Sequence, residues 1–186
     1  MRTFDIESNS GKIIYALGMG VGITVGLSNK RTSYKLSKML LKEIFGINKK
    51  PKNISVYFSR LRNQKLIEVK YKKGEDILEL TEDGRNIFLR FNYEKIELKK
   101  SKIWDRCFRV IVFDIPERKR VARDSLRDKI KELGFLRFNH SVWVYPYPCQ
   151  NEIDFIANYW DIGKYVHFML VKDLTSREKV EKYFNL

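Results

Sequence analysis

Between residues 104 and 171 the spacing of apolar positions switches from strand to helix to strand, and then does so again. Phe108, Val110, Ile111, Val112 and Phe113 form a nearly continuous apolar run that stops at Asp114 and Pro116, which predicts a buried strand. Pro116 then opens a helix over 117–133, in which Val121, Ala122, Leu126, Ile130 and Leu133 lay one apolar stripe along a surface of Arg, Lys, Asp and Glu. Gly134 closes it in the manner of a glycine just past a helix end. Phe135, Leu136 and Phe138 resume an extended pattern, Asn139 and His140 supply a turn, and Val142, Val144 and Tyr145 alternate up to Pro146 and Pro148. A second amphipathic helix with Ile153, Ile156, Ala157 and Trp160 on one face leads to a last apolar run over 165–171. The order is βαββαβ, the ferredoxin-like arrangement.

The preceding residues follow another plan. Leu36, Met39, Leu40, Ile44 and Phe45 mark an amphipathic helix that ends at Gly46, and Lys49, Lys50, Pro51 and Lys52 make a basic turn. Asn53 can cap a second helix whose Ile54, Tyr57, Phe58 and Leu61 share an inward face. Leu66, Ile67, Val69 and Tyr71 alternate into Lys72, Lys73 and Gly74, and Ile77, Leu78 and Leu80 return, which predicts a β-hairpin with a basic tip. Thr81, with Glu82 and Asp83 in the following turn, starts a closing helix through Ile87, Phe88 and Phe91. Helix, turn, helix, hairpin and helix in that order predict a winged helix-turn-helix. The fold class expected is α+β: a winged helix over residues 1–95, a linker over 96–103 and a ferredoxin-like domain over 104–186.

The uncharged, glycine-containing stretch 13–29 has to be weighed as a membrane segment. It falls short of the ~20 residues a spanning helix needs, and the residues before it carry Asp5 and Glu7 instead of a basic leader. A buried first helix with a closely packed glycine-rich end is expected, without membrane association.

Charge changes the picture most. The 186 residues carry a formal net charge of +14, and within 28–73 every acid is accounted for by Glu43 and Glu68 while Lys and Arg recur throughout. From Lys49 to Lys65 there is no acid at all. Such a run calls for a polyanionic partner, and its interleaving with helical signals points to double-stranded DNA. At about 100° per residue, the outward side of the second helix carries Lys52, Ser55, Val56, Ser59 and Asn63, with Arg60 and Arg62 on its flanks. Small and amide side chains at the centre suit base edges in a major groove, and guanidinium groups at the margin suit phosphates or guanine. Phosphate contacts are expected from Lys49, Lys50, Lys52, Arg60, Arg62, Lys72 and Lys73, and base contacts from Ser55, Val56, Ser59 and Asn63.

Cys107 and Cys149 have no metal-ligand spacing and form no disulfide framework, which fits a reducing cytoplasm; His140 and His167 stand alone as turn and strand residues. No cofactor is expected.

The string NISVYFSRLRNQKLIE resembles the recognition-helix region of PaaX-type transcriptional repressors, first known from phenylacetic acid catabolism. WDRCFRVIVFDIPERKRVARDSLRDKIKELGF, with SVWVYP after it, resembles their middle domain, which is similar in fold to the small CRISPR-associated ferredoxin-like nuclease of the adaptation complex. The resemblance covers about residues 30–186. It implies an N-terminal winged helix, a dimerising ferredoxin-like domain and sequence-specific operator binding by a homodimer. Longer PaaX-type repressors carry a further C-terminal helical domain beyond the region of resemblance, and the acyl coenzyme A effector attributed to them is not carried over to this chain. In the CRISPR-associated relative, an Asp at the end of the first strand is the proposed metal ligand, paired across a dimer axis. Asp114 occupies that position, so a Mg²⁺-dependent nuclease is the alternative function. The reading preferred for Asp114 is a cap on the helix that Pro116 opens.

Overall fold

The computed structural model describes residues 5–20, 23–28, 31–35, 54–72 and 74–186, with 24–28 and 31–35 as backbone. The chain divides into two compact units, Met1–Glu94 and Lys95–Leu186. Both combine helices with an antiparallel four-stranded sheet.

In the first unit, α1 (Asn9–Gly18) starts where the Ser8 side chain accepts a hydrogen bond from the Gly11 N–H at 3.1 Å. It ends at Met19, followed by Gly20 at φ +82°. The stretch 13–29 is therefore not one helix: its second part is β1 (Ile23–Ser28), which pairs with β2 (Arg31–Lys35). The reason is in the local pattern, since Ile23, Val25 and Leu27 alternate with Thr24, Gly26 and Ser28 at the period of a strand. No helix among the described residues is long and apolar enough to cross a membrane.

Helix α2 (Ile54–Asn63) buries Ile54, Phe58 and Leu61. It ends in a left-handed Lys65 at φ +57°, with the Leu66 N–H donating to Leu61 O at 3.0 Å and the Lys65 N–H to Arg62 O at 2.8 Å. This is a Schellman closure, with buried Leu66 and Leu61 supplying its apolar contact. The hairpin of β3 (Ile67–Lys72) and β4 (Glu75–Leu80) pairs Ile67 with Leu80, Val69 with Leu78 and Tyr71 with Asp76. Thr81 fastens its base to α3 (Glu82–Glu94): its hydroxyl donates to Lys65 O at 2.6 Å and accepts from the Gly84 N–H at 3.2 Å. Gly84 is required there, because a Cβ would lie 2.1 Å from Leu66 O. Ile13, Ile14, Leu17, Ile23, Ile54, Phe58, Leu61, Leu66, Ile67, Leu78, Leu80 and Phe91 make one core. The sheet order is β2-β1-β4-β3. The expected helix over 36–45 and the basic turn 49–52, with the Asn53 cap, lie outside the described residues.

The second unit follows the expected βαββαβ order: β5 (Phe108–Phe113), a 3-10 turn (Glu117–Lys119), α4 (Arg120–Glu132), β6 (Leu136–Asn139), β7 (Val142–Tyr145), α5 (Gln150–Tyr159) and β8 (Val166–Val171). Its sheet order β6-β7-β5-β8 is the ferredoxin-like one, all antiparallel. The β6–β7 turn is His140–Ser141, one residue later than expected, with Asn139 paired to Val142. The stripe of α4 is Ala122, Leu126 and Ile130, whereas Val121 is 72% exposed, because it stands about 100° round the helix from Ala122. A last helix, α6 (Arg177–Phe184), places Val180 against Phe108, Val110 and Val144, so part of the second sheet face is covered as well.

Arg109 is the one buried charge on β5, only 6% exposed. Its guanidinium holds both Asp105 carboxylate oxygens at 2.7 and 2.5 Å and donates to Cys107 O at 2.9 Å and Pro146 O at 2.7 Å. The clamp ties the entry of β5 to the exit of β7.

Candidate nucleic-acid interface

Burial sorts α2 into two sides. Ile54, Phe58 and Leu61 are buried and Tyr57 half-buried, while Ser55, Val56, Ser59, Arg60, Arg62 and Asn63 are all exposed. The six described candidates on this helix therefore lie together on its solvent side. Neither Arg60 nor Arg62 has an acidic partner among the described residues. Lys49, Lys50, Lys52 and Lys73 lie outside the described residues.

Lys72 is exposed on β3 and already has a counter-charge. Its Nζ bonds Glu79 Oε1, and Lys70 sits 3.1 Å from Glu68 and 3.7 Å from the same Glu79. The Lys72 ammonium holds the Glu79 carboxyl below the usual carboxylate range, with Lys70 adding to the effect. Glu68, Lys70 and Lys72 share one strand face by alternation, and Glu79 stands opposite Glu68 in the register. The charges on that face of the hairpin thus compensate one another. Sequence reading counted Glu68 among the acids of 28–73 but not its pairing with Lys70, and it missed Glu79; the alternation of Glu68, Lys70 and Lys72 is a signal in the sequence, whereas the register that brings up Glu79 is not.

Asp114 does not cap a helix. The backbone passes through the 3-10 turn before α4 begins, and neither Pro116 nor Lys119, at the two helix starts, is accompanied by a side-chain cap bond. Asp114 is exposed at the end of β5, and its N–H donates to Tyr165 O at 3.0 Å. The neighbouring acid, Glu117, is bonded to Arg123 at 2.9 Å. Among the described residues no group of three or more His, Cys, Asp or Glu could hold a metal ion. One free carboxylate beside a neutralised one does not fit the several oxygen ligands that Mg²⁺ takes within a single copy of the chain.

Close to Asp114, Arg118 donates to the Tyr165 hydroxyl at 3.2 Å and lowers its pKa, and Lys119 holds Asp161 at 2.6 Å and lowers that carboxyl's. His140 is in the turn and meets Arg137 at 2.8 Å, and His167 is on β8. Cys149 is buried, and burial pushes its thiol up to about 12.

No curated protein matches the chain. Residues 101–183, which are nearly the whole second unit and none of the first, match the family model described as the PaaX protein central Cas2-like domain. By that match, and by the ferredoxin-like sheet order that accompanies it, the second unit is similar to the central Cas2-like domain of PaaX proteins.

Proposed function

We propose that the protein is a sequence-specific, double-stranded DNA-binding transcriptional regulator, a repressor that acts as a homodimer. The observation that carries the reading is the exposed polar side of α2: Ser55, Ser59 and Asn63 between Arg60 and Arg62, on a helix whose other side is fixed in the core. In a winged helix this element enters the major groove, the arginines neutralising phosphates and the short side chains reaching base edges. Lys49, Lys50 and Lys52 would extend the phosphate contacts at the helix entrance. Similarity of the second unit to the PaaX central domain supports a regulator, and the outer edge of β8, unpaired among the described residues and with Met169 and Leu170 exposed, supports association of two copies through the second unit.

The test is selection of duplexes from a random-sequence pool by the full chain, followed by titration of the enriched duplex over a range of salt. Enrichment of a repeated half-site is expected. The double variant Arg60→Ala/Arg62→Ala should weaken binding and flatten the salt slope by up to ~1.8 units, about 0.9 for each phosphate left without its arginine. Absence of duplex binding at low salt would sink the reading.

A further inference from the structure

We propose that the β3–β4 hairpin meets duplex DNA through Tyr71, backed by Val69, and not through Lys70 or Lys72; the inference rests on the DNA-binding reading above. Strand alternation and register divide the hairpin into two faces. One carries Ile67, Val69 and Tyr71 with their partners Leu80, Leu78 and Asp76; the other carries Glu68, Lys70 and Lys72 with Glu79, Ile77 and Glu75.

The first face is the one turned toward α2, because Ile67, Leu78 and Leu80 share a core with Ile54, Phe58 and Leu61 of that helix. Val69 and Tyr71 continue this face outward beyond the core. At about 3.3 Å per residue, Tyr71 stands roughly 13 Å past Ile67 along the strand. Tyr71 is 74% exposed and Val69 is 38% exposed. An apolar ring at the end of a hairpin, on the side of the sheet that carries α2 and its exposed Arg60 and Arg62, is placed to continue the contact of that helix along the same duplex.

The second face has the cations and lacks the free charge. Glu79 engages both Lys70 and Lys72, and Glu68 engages Lys70. A phosphate taking either lysine would have to displace a carboxylate already on it. The first face has one strong donor, the Tyr71 hydroxyl, and Asp76 across from it repels any phosphate that approaches on charge alone. The contact this chemistry fits is a sugar-backbone one: the ring against a deoxyribose, the hydroxyl donating to a single phosphate oxygen or groove acceptor. Such a contact is independent of sequence and releases no counterion of its own.

The experiment uses the full chain and a labelled mixed-sequence duplex, titrated at several salt concentrations. Tyr71→Ala is expected to lose about tenfold in affinity, from one hydrogen bond and one covered ring, with the salt slope unchanged. Tyr71→Phe should retain part of that affinity. Lys70→Ala/Lys72→Ala should stay within about twofold of the parent with the same slope. Lys73 is kept in every variant. A Tyr71→Ala protein that binds like the parent, or a Lys70→Ala/Lys72→Ala protein with a flattened slope, overturns the proposal. Arg60→Ala/Arg62→Ala separates the two levels: if it abolishes binding while Tyr71→Ala does nothing, only the hairpin contact fails. If the parent itself does not bind duplex at low salt, the DNA-binding reading fails and takes the hairpin contact with it.

Discussion

Substituting Asp105 by Asn should loosen the second unit while leaving its shape and size intact. The Arg109 side chain is 7% exposed and Asp105 is 49% exposed, so one partner of the pair is inside and the other is half in water. Two charge-assisted bonds, at 2.7 and 2.5 Å, join them. Asn keeps one acceptor and gives up the charge and the second. Hydrogen bonds to a charged group contribute roughly 1.5–3 kcal/mol, and water at the open side of Asp105 can replace part of that, which leaves a cost of about 1–2 kcal/mol. For a unit of this size that corresponds to a fall in Tm of about 4–15 °C. Arg109→Met is more severe, since Pro146 O is also left without its donor and Cys107 O keeps only Trp104 Nε1; about 3–4 kcal/mol is expected.

The pH dependence separates this explanation from mere loss of packing. The Arg109 guanidinium holds the Asp105 carboxyl below the usual carboxylate range. Its folded pKa is therefore below its unfolded value of about 3.9, so the contribution is complete above that value and is lost as pH falls through the folded pKa. Calorimetric melts of parent and Asp105→Asn should differ by a constant amount from about pH 5 to 8 and converge below about pH 4. Equal Tm values at pH 7, or a gap that persists undiminished in acid, would refute the clamp as a charge interaction.

Three further outcomes follow from the geometry. Gly84→Ala puts a Cβ 2.1 Å from Leu66 O, so the start of α3 must shift, and the first unit should lose roughly 1–3 kcal/mol in a thermal or urea melt. Thr81→Ala should cost about 1 kcal/mol through loss of a cap, whereas Asp114→Ala should stay within about 0.5 kcal/mol of the parent because its side chain caps nothing; the same melts compare them, and a larger loss for Asp114→Ala would restore the cap. Cys149, buried with its thiol pushed up to about 12, should resist alkylation at pH 8 until the unit unfolds, while the half-buried Cys107 labels first.

The second unit was legible because its signals are local: the run from Phe108 to Phe113, the stripe of Ala122, Leu126 and Ile130 and the terminal Gly134, at φ +87°, each act within one element. Val121 was misplaced because an apolar residue next to the stripe adds to a helical pattern whether or not it lies under the helix. In the first unit the strand Ile23–Ser28 was concealed by the length of the apolar stretch around it, which is read as a helix when the window is wide and as an alternating strand when it is narrow. The exposed side of α2 followed from the helical step alone. The compensation of Lys72 did not, because Glu79 reaches it only through the register of the hairpin, and the cover that α6 gives the sheet depends on tertiary packing.

In the 104–134 string several polar residues, though not Asp114, are engaged in holding the fold. Trp104 Nε1 donates to Cys107 O at 3.0 Å, Asp105 and Arg109 form the clamp, Arg123 holds Glu117 at 2.9 Å, Lys119 holds Asp161 and Lys129 holds Glu132 at 2.9 Å. Side chains committed in this way are poor candidates for touching a partner, since each new bond would first have to break an existing one. The polar residues of α2 are in the opposite condition: Ser55, Ser59, Arg60, Arg62 and Asn63 are exposed, on a helix anchored by Ile54, Phe58 and Leu61. Rigid support beneath and uncommitted donors above are what a recognition surface requires. This contrast between the units supports assigning DNA contact to the first and the spacing of two copies to the second, and it predicts that substitutions of the bonded residues Asp105, Arg109 and Arg123 act on stability while those on the outer side of α2 act on binding with the Tm unchanged.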